Sequence, residues 1–213
     1  MGEASSTDAV SEAAALRLDD RVVILTGASA GLGVQFASAL DVAGARVVLA
    51  ARRETELRSL ARELSSALVV PCDVTDETSR DDLLRATLGE FGRVDGLVNN
   101  AGISNVALTM KETIADFRRV LEVNLVAPFA LSQAAARVMK STGGGSIVNI
   151  SSISGFLAFR PLPGAGVCRV KGRPHRPDPR ARGPVGSVSH TSERTRAGPL
   201  HDRDDGGGVR ARW

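Results

Sequence analysis

The chain has 213 residues, 43% of them hydrophobic, which suits one domain with a sizeable core. Its formal charge of +3 is uneven: residues 1–168 carry −3 and residues 169–213 carry +6, so the basic character belongs to the tail and gives no ground for assigning the main domain a nucleic-acid partner. Two cysteines, Cys72 and Cys168, and no run of about 18 apolar residues argue against a disulfide framework, a metal site and a membrane span, and the expectation is a reduced, cytoplasmic protein.

Residues 1–20 are small, polar and acidic and read as a flexible N-terminal extension. They lack the basic and apolar regions of a signal peptide, and a bare Met1-Gly2 myristoylation pattern without a polybasic cluster would anchor only marginally. From Arg21 onward short apolar runs alternate with helical periodicity. Val22–Leu25, Ala45–Ala50, Ala67–Val70, Val94–Val98 and Ser146–Ile150 read as strands buried on both faces. Between them, helices are expected over Gly33–Ala43, Glu54–Ser65 and Asp76–Phe91, the last with Thr75 as N-cap. A long helical stretch, Thr113–Lys140, is expected to break near Pro128 and to end at the Gly143–Gly145 run. This alternation predicts an α/β fold, a doubly wound Rossmann-type parallel sheet with helices on both faces, over residues 21–160. Residues 161–213 read as an irregular, basic, disordered tail: from residue 169 on there are ten arginines, five prolines and seven glycines but no Ile, Phe or Met.

The chemistry is announced at the first strand-to-helix turn, Thr26-Gly27-Ala28-Ser29-Ala30-Gly31-Leu32-Gly33. In a turn of this kind Gly27 permits the tight bend, Gly31 lets the backbone approach a phosphate, and Gly33 lets the helix pack close to the strand, with a pyrophosphate resting on the helix N-terminus. Further motifs follow: Cys72-Asp73-Val74-Thr75 after the third strand, Asn99-Asn100-Ala101-Gly102 after the fourth, Val123-Asn124-Leu125 in the long helical stretch, and Asn149-Ile150-Ser151-Ser152 after the fifth. Three of them, with the glycine loop, lie at carboxyl ends of strands, where open parallel sheets place ligands.

These motifs, in this order, resemble the classical branch of the short-chain dehydrogenase/reductase family, over roughly residues 21–160, and in particular its NADP-dependent ketoreductases and alcohol dehydrogenases. The resemblance implies an NAD(P)-dependent oxidoreductase acting on a small-molecule alcohol or carbonyl, with Gly27, Ser29, Gly31, Leu32 and Gly33 as the cofactor loop. It places Asp73 at the adenine with Val74 beside it, and Asn100, Ala101 and Gly102 near the nicotinamide ribose. Asn99 would tie adjacent strands, Asn124 would support a water-linked proton relay, and Ser152 would hydrogen-bond the substrate carbonyl. The second strand ends Ala50-Ala51-Arg52-Arg53; Ala51 stands where an acid would select NAD, and Arg52 can pair with a 2′-phosphate, so NADP is expected over NAD.

One element of the family pattern is missing. Its Tyr-x-x-x-Lys site needs a phenol, and the chain contains no tyrosine. Cys168 occupies the equivalent place, too short to reach a carbonyl positioned for a phenol, and Lys171 stands three residues on rather than four. The alternative expectation is therefore a catalytically dead nucleotide-binding fragment. Because composition changes at the same place, a reading-frame change near residue 168 is the hypothesis; it fails if no one- or two-nucleotide shift in the gene restores Tyr-x-x-x-Lys. The sheet would then stop at the fifth strand in order 3-2-1-4-5, with Ser146–Ile150 an exposed apolar edge prone to aggregation. The homo-oligomers usual in the family would lack their C-terminal interface.

Overall fold

A computed structural model describes residues 17–105 and 110–152. The expectations for residues 1–16, for the tail, and for Cys168 and Lys171 lie outside the described residues. Five parallel strands form one sheet, as the alternation predicts, and lie side by side in the order third, second, first, fourth, fifth, as the family resemblance implies. They are β1 Val22–Thr26, β2 Arg46–Ala51, β3 Ala67–Pro71, β4 Gly96–Asn99 and β5 Ser146–Asn149. The helices are α1 Leu32–Val42, α2 Glu54–Ala61, α3 Glu77–Phe91, α4 Ile114–Leu121 and α5 Ala127–Ser141, with a π-helical turn, Glu122–Val126, joining the last two.

The two-residue period of β1 divides the core. Val22 and Ile24 pack with Leu83 and Leu84 of α3 and with Leu131, Ala135 and Met139 of α5. Val23 and Leu25 pack on the other face with Ala37 of α1 and Leu57 and Leu60 of α2. Val48 and Val47 of β2 divide in the same way, so the interior of each central strand is apolar on both faces. The outer strands differ from expectation: most of β3 and β5 is half-buried, because each has only one neighbouring strand among the described residues.

Several boundaries also differ, each for a local reason. The α2 helix stops at Ala61 rather than Ser65 because its last turn tightens, and Asp41 of α1 captures both the backbone N–H and the hydroxyl of Ser65. Asp76, not Thr75, caps α3: its carboxylate accepts from Ser79 N at 2.7 Å, while the Thr75 hydroxyl donates to Asp73. The long stretch does not break at Pro128. The π-helical turn precedes the proline and places it in the first turn of α5, where its missing N–H costs little. Gly144 N then closes α5 onto Met139 O at 2.7 Å.

At the amino ends of the strands, Asp95 enters from the loop that was expected to begin the fourth strand. Its carboxylate accepts from Val22 N, Arg21 and Arg93, and its backbone pairs with Val22 O and Ser146 N, joining β1, β4 and β5. No helix of the described residues is long and apolar enough to cross a membrane.

Candidate functional site

The carboxyl ends of β1 to β4 open into a cleft of about 780 Å³, roofed by α4 and the π-helical turn. This is within the range of small-molecule and cofactor sites. Gly27, Ser29 and Leu32 line it from the first turn, Ala51, Arg52 and Arg53 from the end of β2, and Cys72, Asp73 and Val74 from the end of β3. Asn100, Ala101 and Gly102 follow β4, and Arg118, Arg119 and Glu122 come from above.

The glycine loop is seated by contacts that a side chain would block. A Cβ on Gly33 would stand 2.2 Å from Gly27 O, and one on Gly27 would stand 2.8 Å from Ala101 Cα. Gly33 is thus buried beneath the loop and does not line the cleft. Gly31 caps α1 at φ 59°, where an L side chain is strained, and nothing lies within 4 Å of its missing Cβ. No side chain caps α1, and none caps α2 or α5, whereas α3 and α4 carry Asp76 and Thr113.

A threonine that the sequence did not single out fastens the loop. Thr26 Oγ1 accepts from Asn100 N and Ala101 N, both at 3.0 Å, and donates to Val98 O. Asn100 Nδ2 donates to Thr26 O at 3.0 Å and Gly27 O at 3.2 Å, so this residue lines the cleft while its amide group ties β4 to the loop. The available signal was a polar residue closing an otherwise apolar strand. Asn99 does tie neighbours: its Nδ2 donates to Asn149 Oδ1 of β5 and to Ser132 Oγ of α5.

Asp73 is held in an ionised state. The backbone N–H of Thr75, then its hydroxyl, both donate to Oδ1, and they keep the carboxyl below its ordinary pKa. No hydrogen bond among the described residues engages Oδ2. Beside it, burial and then the Asp73 charge push the Cys72 thiol up to about 11, so it stays protonated near neutral pH.

Asn124 is buried in the π-helical turn and pairs with one backbone unit: Oδ1 accepts from Ile103 N at 2.9 Å and Nδ2 donates to Ile103 O at 2.8 Å. It pins the loop that follows β4 along the cleft wall. Asn124→Ala leaves both groups of Ile103 without their partner, and the expected loss is about 1–3 kcal/mol of stability, read by urea denaturation. Ser152 is half-buried, three residues beyond β5, and is not part of the cleft lining. Arg53, which the sequence reading passed over in favour of Arg52, reaches back to Ser29: its Nε and Nη2 lie 3.3 and 3.1 Å from Oγ, and Nη2 lies 3.0 Å from the carbonyl.

The profile of the family described as short chain dehydrogenase matches residues 21–163. L-fucose dehydrogenase of Mus musculus is 40% identical over 146 residues, 68% of this chain and 53% of that protein. Trans-4-hydroxycyclohexanecarboxylate dehydrogenase of Sinomonas cyclohexanicum is 37% identical over 154 residues, 68% of this chain and 59% of that protein. Among solved structures, a short-chain type dehydrogenase/reductase from Mycobacterium marinum matches with a TM-score of 0.71 at 35% identity, covering 73% of this chain and 65% of that one. A 7 alpha-hydroxysteroid dehydrogenase complexed with NADH and 7-oxo glycochenodeoxycholic acid matches with a TM-score of 0.70 at 33% identity, covering 74% of this chain and 62% of that one. The chain spans little more than half the length of these curated relatives.

Proposed function

The chain belongs to the short chain dehydrogenase family, and from that premise we propose that it binds a nicotinamide dinucleotide in this cleft, NADP in preference to NAD. By family, the reaction that this cofactor would serve is hydride transfer between the nicotinamide and a small-molecule secondary alcohol or ketone. The observation that carries the reading is the glycine loop, seated by Gly33 against Gly27 O and opening α1 without a side-chain cap at the edge of the cleft. A helix start of that kind suits a pyrophosphate. The charge of the lining agrees: Arg52, Arg53, Arg118 and Arg119 face Asp73 and Glu122, an excess suited to a polyanionic ligand.

In this reading the Asp73 carboxylate, its Oδ1 held by Thr75, would bind the adenine. Ala51 offers no acid to repel a 2′-phosphate, and Arg52 supplies a cation beside it. Asn124 fixes the cleft wall through Ile103. In a complete enzyme Ser152 would polarise the substrate carbonyl. When bound, the nicotinamide supplies or accepts the hydride.

A second reading, cofactor binding without turnover, is favoured by one observation: the 213 residues contain no tyrosine to move the hydroxyl proton. Calorimetric titration with NADPH and NADH, then a ketone-reduction screen, separates the two. We expect weak binding of both, tighter for NADPH, and no turnover, which favours the second reading. Turnover that falls on Ser152→Ala would exclude the second reading, and heat-silent titrations with both cofactors would remove the binding proposal itself.

A further inference from the structure

We propose that Glu56, a residue outside the cleft lining, sets how strongly this chain distinguishes a 2′-phosphorylated dinucleotide from an unphosphorylated one, by competing for Arg53. The inference rests on the nucleotide-binding reading above and goes further into the same site.

Arg53 is held between two partners. Its Nε and Nη2 bond Ser29 in the glycine loop, and its Nη1 lies 3.4 Å from Glu56 Oε1 in the first turn of α2. Ser29 Oγ accepts from the guanidinium, and no acceptor for its own proton is found among the described residues. Arg52, exposed alongside, has neither a hydrogen bond nor an ion pair among the described residues. Three donor groups with unused capacity, the Ser29 hydroxyl and the two guanidiniums, therefore gather at the end of β2, where Ala51 supplies no carboxylate. A phosphate monoester on the adenosine ribose has the charge and the acceptor oxygens to take bonds from such a group of donors.

Glu56 works against that group in two ways. It occupies Nη1, and it sets a like charge next to any anion that Arg53 holds. The Arg53–Glu56 pair is exposed, with 54% and 44% of the side chains accessible, and exposed pairs rank among the weakest of ionic interactions. A phosphate that takes charge-assisted bonds from Arg53 outcompetes it. Glu56 thus tempers the preference for the phosphorylated cofactor without abolishing it. Glu54, in the same helical turn, is engaged by Arg58 and does not reach Arg53, so it serves as a control of equal charge.

The test is calorimetric titration of the full chain with NADP+ and with NAD+, which needs no turnover. Glu56→Gln is expected to tighten NADP+ about three- to fivefold at low ionic strength and to leave NAD+ within about twofold, with the gain shrinking as salt is added. Glu54→Gln should move the ratio of the two affinities by less than about 1.5-fold. In an Arg53→Ala background, which itself lowers the ratio, Glu56→Gln should have no further effect on it. An unchanged ratio in Glu56→Gln overturns the proposal, as does an equal change in Glu54→Gln or an effect that survives without Arg53. If both dinucleotides bind and only the ratio fails to move, this inference alone falls; if neither binds, the nucleotide-binding reading falls with it.

Discussion

Asp95→Ala is expected to cost about 2–4 kcal/mol of folding stability. The Asp95 side chain is only 7% exposed and accepts from Val22 N at 3.0 Å, Arg21 Nη1 at 3.0 Å, and Arg93 Nε and Nη2 at 2.7 and 2.6 Å. Alanine leaves the buried Val22 N–H at the start of β1 without an acceptor, and that is the larger part of the loss. The guanidiniums contribute less, because Arg21 and Arg93 remain partly exposed and turn to water. Burial pushes the Asp95 carboxyl upward, but the bonds from Arg93, Val22 N and Arg21 outweigh it and hold the pKa below its ordinary value. The sign of the pH dependence follows. A carboxylate with a depressed folded-state pKa stabilises fully above its unfolded value near ~3.9, and that contribution is lost as pH falls through the lower folded value. Urea midpoints measured from neutral pH into acid should therefore fall more steeply for the native chain than for Asp95→Asn. Parallel curves would show that the carboxylate charge contributes nothing there.

The parts of this fold that were legible are those in which local pattern and tertiary need coincide. The interiors of β1 and β2 are apolar because alternate residues enter different cores, and the order β3-β2-β1-β4-β5 was available only through the family resemblance that the strand-end motifs carry. Asn99 was placed correctly as a tie between strands, since its bond to Asn149 joins adjacent carboxyl ends. The irregular helix was not legible. Proline is the visible breaker, yet the distortion lies in the turn before it, where Asn124 pairs with Ile103 across 21 residues of chain. The N-cap of α3 shifted for a similar reason, because Asp73 captured the threonine expected to do the capping. In the cleft, Thr26 and Arg53 were missed because their partners, Asn100 and Ser29, are 74 and 24 residues away. No periodicity carries that information. Distinguishing Arg53 from Arg52 required knowing which guanidinium reaches back to the loop.

The glycine loop yields the other large expected effect. Gly33→Ala should lower stability by about 1–3 kcal/mol and, under the reading proposed above, weaken NADP binding by more than that loss accounts for. The added methyl carbon would stand 2.2 Å from Gly27 O, 2.9 Å from Ala28 Cα and 3.0 Å from Asn100 Nδ2. Two of these are backbone atoms, and the third belongs to an amide already bonded to Thr26 O and Gly27 O, so none can withdraw as a flexible side chain would. The start of α1 must move away from β1, and the helix N–H groups lose their aim at the cleft. Gly31→Ala is the informative contrast. Nothing lies within 4 Å of its missing Cβ, but φ is 59°, so alanine there adds backbone strain of about 1–2 kcal/mol without a collision. Thermal melts and NADP+ titrations on the two variants distinguish packing from strain. Gly33→Ala should lose binding more steeply than its loss of stability accounts for, because the collision displaces the helix start itself. A Gly33→Ala protein that melts with the native chain and binds NADP+ unchanged would mean that the loop does not rest on this helix at all.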